Sequence, residues 1–314
     1  MSRLTSLCLI ALLLVLTACS SGDAEVEAAM LSAERRVSEL ESALSNGTVR
    51  NATIITQYAS LLSQSRPELA PLLSELKKDA TTQGPLFKSI KSRLVAVQDG
   101  TESFENWTDK VAELEAIQAA ANIAVYNDAL SDTVNVIADL SDGQFARVAA
   151  VSQEAELKMN QAEDFGAGSQ YIGNPHYGYW SHGAGGSFWA WYGQYHFFSS
   201  LFGGRPYYYH DWAGRRGYSY YNDVGRNTYT SRKQWQSQTE TENRARKQFG
   251  GSKFQSPYSR SRQGASGLSK QSTAVQKSAF RSSFSKSGSS SSSKFASGTR
   301  NSDFRTSKGV SRGK

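Results

Sequence analysis

Cysteine is nearly absent: the 314 residues hold two, Cys8 and Cys19. A framework of disulfides and a cysteine-based zinc site are both excluded by that count. Histidine is missing from the whole first half, and His176, His182, His196 and His210 stand 6, 14 and 14 residues apart. The first fact excludes the Glu-x-x-His pairs of helical di-metal proteins, and the spacing of the four matches no zinc signature. No Gly-x-Ser-x-Gly nucleophile turn occurs, and Gly183-Ala184-Gly185-Gly186 lacks the preceding strand and spacing of a phosphate loop. The longest apolar run extends only from Leu7 to Leu16, short of the roughly 20 residues that span a bilayer. A non-enzyme is therefore expected, with no cofactor, no metal and no catalytic residue. The rival reading is an enzyme or metal-binding protein with its site among the histidines and aromatics of residues 165–235.

What the chain does have begins at its start. Arg3, the run Leu7–Leu16 and the small residues Thr17 and Ala18 compose a secretory signal peptide over residues 1–18. The sequence Leu16-Thr17-Ala18-Cys19 resembles the lipobox of bacterial lipoproteins. That resemblance implies cleavage before Cys19, a diacylglycerol on its sulfur and acylation of the new amino group. Residues 19–22 then form a lipidated linker. Two or more acyl chains anchor a protein stably, each buried CH₂ adding about 0.8 kcal/mol. In enteric-type lipoproteins a serine such as Ser20 after the cysteine directs the protein to the outer membrane, facing the periplasm. The inner membrane, periplasmic side, is the alternative.

Charge divides the remainder. Asp23 to Asp164 carries 12 Lys/Arg against 23 Asp/Glu, Phe165 to Trp235 carries 6 against 2, and Gln236 to Lys314 carries 16 against 3. A net charge of +7 ordinarily suggests nucleic acid, but an exported chain does not meet it. Lipopolysaccharide, anionic lipid or wall polymer is the expected partner, together with the membrane reached through Cys19.

Residues 23–164 read as an antiparallel helical bundle. Val26, Met30, Ala33, Val37, Leu40 and Leu44 form an apolar seam of period 3.5, either an intermolecular coiled coil or a helix packed on its own neighbours, the latter favoured. Asn46-Gly47, Gly84-Pro85, Asp99-Gly100 and Asp142-Gly143 divide the helices. One long helix is expected from Ser103 to Leu140 and another from Phe145 to Met159. Short turns between amphipathic helices make neighbours antiparallel. The acidic residues are expected on solvated faces.

Residues 165–235 contain 22 of the 35 aromatic side chains. Phe188, Trp191, Tyr192, Tyr195, Phe198 and Phe202 recur at steps of 3 and 4, which predicts a short helix with an aromatic side. Three roles compete for these rings: packing on the bundle, lying at a membrane interface, or stacking against sugars with Arg215, Arg216 and Arg226 meeting acidic groups.

A polar helix is expected over 236–249, begun near Ser231 and closed by Gly250-Gly251. Residues 250–314, rich in Ser, Gly, Lys and Arg, are expected to be a disordered basic arm. The aromatic-glycine stretch, this ending and Lys270-Gln271-Ser272-Thr273 resemble envelope lipoproteins of the YgiB type. Cys19-Ser20-Ser21, the heptads after it and Lys314 are similar to Braun's lipoprotein, which implies a link from Lys314 to peptidoglycan, although the Tyr-Arg before that lysine is missing here.

Overall fold

The computed structural model describes residues 2–148, 152–201, 204–250 and 268–278, with side chains of the first helix from residue 22 onward. The described chain is mainly helical, with one small two-stranded antiparallel sheet.

Helix α1 (Ser2–Ser45) buries Ala33, Val37, Leu40 and Leu44 and half-buries Val26 and Met30. Helix α5 (Trp107–Ala120) of the same chain packs along it, so the seam is covered internally. Asn46-Gly47 ends α1 as a left-handed cap: Gly47 has φ +67°, and the Thr48 N–H donates back to the Ala43 carbonyl at 3.0 Å. Helices α2 (Arg50–Ser65), α3 (Ala70–Lys77) and α4 (Pro85–Gln98) follow. Pro85 opens α4, where its missing N–H costs nothing. The glycine before it is required, because a Cβ on Gly84 would lie 2.7 Å from the Asp79 Cα.

The expected helix from Ser103 to Leu140 is three helices: α5, α6 (Ile123–Ala129) and α7 (Ser131–Leu140). Asn122 makes the first break. Its backbone is extended, and its side-chain oxygen accepts from the Ala124 and Val125 N–H groups, an N-cap that competes with helix continuation. The helix expected from Phe145 starts later, as α8 (Gln153–Asn160) capped by Ser152. Upstream, Ser141 holds the Phe145 N–H and Asn135 brackets the Val148 backbone, keeping that stretch in turns.

The aromatic segment is also not the expected helix. Strands β1 (Gly178–Gly183) and β2 (Gly186–Trp191) pair antiparallel, Trp180 opposite Trp189. The expectation that Gly183-Ala184-Gly185-Gly186 lacks a preceding strand is overturned: β1 leads directly into it, and it returns the chain into β2 as a two-residue hairpin turn. Among the described residues of the predicted stripe, a 3-10 turn at Gly193–Tyr195 and the short helix α9 (Phe197–Leu201) are helical. Short helices α10 (Tyr209–Trp212) and α11 (Arg226–Tyr229) precede α12 (Arg232–Phe249). Ser231 and Gln234 close a reciprocal capping box at the start of α12.

One core takes in both the acidic and the aromatic regions. Leu40, Leu62, Leu73, Ile117 and Val134 cluster with Tyr171, Tyr177, Tyr195, Phe198, Tyr220 and Tyr229. A smaller cluster joins Ile172, Trp180, Trp189, Tyr209 and Trp212. The change of composition at residues 164/165 therefore runs through a shared core, and the one at 235/236 falls inside α12.

The tail differs from expectation where it is described. Residues Lys270–Ser278 form helix α13, seated against α6. The remaining expectations for the arm, and for Lys314, lie outside the described residues.

Candidate functional site

Buried carboxylates are the first place to look for chemistry. Asp79 is fully buried between α3 and α4. Its Oδ2 accepts from Thr133 Oγ1 at 2.7 Å and Tyr177 OH at 2.9 Å, with Tyr171 OH at 3.4 Å. The two tyrosine rings stack at 3.7 Å. Asp132 on α7 accepts from the Tyr220 and Tyr221 N–H groups and from Ser219 Oγ. Burial pushes Asp79 up to about 6 and Asp132 up to about 7, against the donors that favour the ionised form. Shifts of this kind are common at catalytic sites. Neither residue lines a described cavity, and every bond accepted from Thr133, Ser219 or a tyrosine joins one element to another. These bonds tie α7 and the aromatic region to the acidic helices. The expectation of solvated acidic faces fails at these positions.

An accessible site forms beside the hairpin. Pro175, Tyr179, Trp180, Trp189 and Tyr192 line a groove of about 220 Å³, to which the first turns of α12 supply Lys233, Gln234 and Ser237. The Tyr179 and Tyr192 rings are 5.9 Å apart and inclined at 35°. They are 52% and 38% exposed, unusual for large rings in a chain whose other tyrosines are mostly buried. Trp180, the next residue along β1 and so on the other face of the strand, is locked by edge contacts to Trp189 and Tyr209, and the buried Trp189 Nε1–H has no acceptor among the described residues. Rigid flat faces, one cation and several short polar groups suit a ring-shaped polar ligand.

The residues singled out in the sequence scatter. Tyr192 belongs to this groove, whereas Phe188 and Trp191 are half-buried, against Tyr208 and against Trp189 and Phe198 respectively. Tyr195 and Phe198 are core residues, so they offer no binding surface. Arg216 is buried in a bidentate pair with Asp223, at 2.6 and 2.9 Å, which removes it as a receptor for acidic groups. Arg215 is exposed but already pairs with Glu163 and Asp211. Phe202 lies outside the described residues. Cys19 falls within α1, its side chain outside them. Tyr179 was missed because it stands outside the 3–4 spacing; alternation along Gly178–Gly183 was its available signal.

The four histidines do not converge. His176 is buried and donates to the Tyr229 carbonyl at 2.9 Å, and burial pushes it down to about 4. His182 meets Ser187, His196 meets Ser199, and His210 stacks on Phe249. No group of three His, Cys, Asp or Glu among the described residues is placed to hold a metal. Among those residues no helix is long and apolar enough to cross a membrane. The chain matches no family model, no curated protein and no solved structure.

Proposed function

We propose that this chain is a non-enzymatic bacterial lipoprotein, anchored through Cys19 to the periplasmic leaflet of the outer membrane, that binds envelope glycan. The acidic region is an antiparallel bundle in this reading; the pairing of α1 with α5 and of α2 with α3 and α7 supports it. The basic tail adds charge-driven attraction to lipopolysaccharide or wall polymer. The observation that carries the binding role is the exposed Tyr179–Tyr192 pair at a groove also lined by Trp180 and Trp189, which are held by edge contact with each other.

The test is retention of detergent-solubilised full-length protein on immobilised lipopolysaccharide and on purified peptidoglycan. Tyr179→Ala/Tyr192→Ala removes two exposed rings, leaving the core intact. Stacking losses of about 1–3 kcal/mol should weaken retention on one of the two polymers about tenfold. Equal retention of the double variant on both polymers would remove the groove from the account.

A further inference from the structure

The opposite side of α12 holds a second site. Lys233, Gln234, Ser237 and Gln238 face the aromatic groove, whereas Trp235, Thr239, Glu242, Asn243 and Arg246 face a polar cleft of about 390 Å³ completed by Asn222, Asp223, Val224, Arg226 and Asn227. At 100° per residue the two sets lie on nearly opposite faces of the helix.

The charges of this cleft do not cancel. Asp223 is engaged by both arms of the buried Arg216. Glu242 is shared: its Oε1 accepts from Arg246 at 2.8 Å and its Oε2 lies 3.9 Å from Arg226. Two guanidinium groups thus face one carboxylate, leaving one positive charge in excess. Arg216 shows how a satisfied guanidinium is held in this fold, with two short parallel bonds to one carboxylate. Arg226 has only the long contact, and its buried Nε–H has no acceptor among the described residues. Donating groups left without acceptors are rare in folded proteins. Around this cation stand three asparagines and the indole of Trp235, whose Nε1 reaches Asn227 Oδ1 at 3.4 Å. Amides pair with hydroxyl groups in both directions, and an indole face accepts the apolar side of a sugar ring.

We infer that this cleft binds a sugar acid, its carboxylate on Arg226 and Arg246 and its hydroxyls on Asn227 and Asn243, the Asn222 amide being already engaged by the Ile172 carbonyl and Ser219 Oγ. An aligned carboxylate supplies the fork that Arg226 lacks, and charge-assisted bidentate pairs are the strong ones. A single carboxylate also matches the single excess charge, whereas a dianion would exceed it. The volume admits one or two sugar units rather than a long chain.

The test is a calorimetric titration of the full-length protein in detergent with D-glucuronate, with D-glucose, with the methyl ester of D-glucuronate and with inorganic phosphate. Glucuronate should bind saturably, and both uncharged sugars about tenfold or more weaker. Arg226→Gln should cost about tenfold or more with an unchanged circular dichroism spectrum. Asn243→Leu alters an exposed position of α12, so it reports on the cleft even if Arg226→Gln fails to fold; it should weaken binding severalfold. Tyr179→Ala/Tyr192→Ala should leave glucuronate affinity unchanged, which separates this cleft from the aromatic groove. Glucose binding as tightly as glucuronate, full affinity in Arg226→Gln or in Asn243→Leu, or phosphate competing at equal concentration would overturn the assignment, the last by reducing the cleft to a plain anion site.

Discussion

Ser272 of α13 and Asp128 of α6, 144 residues apart, share a buried hydrogen bond of 2.8 Å. The same carboxylate oxygen accepts from the backbone N–H of Ser269 at 2.9 Å and from its hydroxyl at 2.7 Å. Ser272 Oγ also meets Tyr220 OH at 2.8 Å. A piece of the basic tail is thus tied to the acidic region at one carboxylate. Asp128→Ala would leave these donors buried without their acceptor, at about 2–3 kcal/mol. Limited trypsin digestion should then cut after Lys270 and Lys277 faster than in the wild type, whose helix α13 is held by these bonds. Equal protection of the variant would show that Val275 and Leu268, packed on the core, hold the helix without the carboxylate.

Asp79 gives the protein a pH dependence of known sign. Its ordinary value is near 4, and the fold raises it to about 6. The native state therefore binds the proton more tightly, and the stabilising contribution is complete below about pH 4 and is lost as pH rises through 6. Asp132, raised to about 7, acts in the same direction. His176, lowered to about 4, acts oppositely, its contribution falling away as pH drops from 6.5 toward 4. Asp79→Asn removes only the first contribution, so the difference between the two proteins isolates it. Denaturant unfolding at pH 4 and pH 8 should show the wild type losing up to about 3 kcal/mol relative to Asp79→Asn. A constant difference would mean that Asp79 is ionised throughout.

The joint core predicts that the acidic and aromatic regions unfold together. Tyr171, Tyr177, Tyr195 and Phe198 cover residues of the helices before 164. A chain ending at Asp164 would expose that surface and lose the tyrosine donors to Asp79 and the donors to Asp132 from residues 219–221. Full-length protein should melt in one transition with coincident far-ultraviolet and aromatic signals. The shortened chain should bind a hydrophobic dye and melt at lower temperature. Two separate transitions in the full chain would restore the division at residue 164.

Much of this was legible in the sequence, and the failures share a physical origin. The seam from Val26 to Leu44 is read from periodicity because a helix brings the same face round about every 3.6 residues, close to the spacing of these positions. Gly47, Gly84-Pro85 and Ser231 mark boundaries through backbone chemistry that acts locally. The aromatic stripe misled because Phe188, Trp191, Tyr195 and Phe198 fit a helical step, while Trp189 and Trp191 fit the alternation of the strand they occupy. The burial of Asp79 and Asp128 had no local signal, since their partners lie far along the chain: Tyr177 follows Asp79 by 98 residues. The groove inherits that difficulty, being assembled from a hairpin and a helix 40 or more residues further on.

The arm beyond Ser278 carries eight Lys/Arg against Asp303 alone, so the proposed attraction to envelope polyanions should be governed by charge. Screening shortens from about 8 Å at 0.15 M salt to about 3 Å at 1 M. Deleting residues 279–314 leaves α13 in place and should abolish most of the salt-sensitive binding to lipopolysaccharide or wall. Scrambling the same residues should change it little. Loss of binding on scrambling would point instead to the phenylalanines of the arm and a partner that reads their order.

Membrane attachment at Cys19 is the central claim, and metabolic labelling with palmitate tests it most directly. The wild-type chain should take up label, remain with membranes in carbonate and begin at a modified Cys19 by mass spectrometry. Cys19→Ser should take up none. Unlabelled wild-type protein that washes free in carbonate with Met1 still at its start would contradict the account.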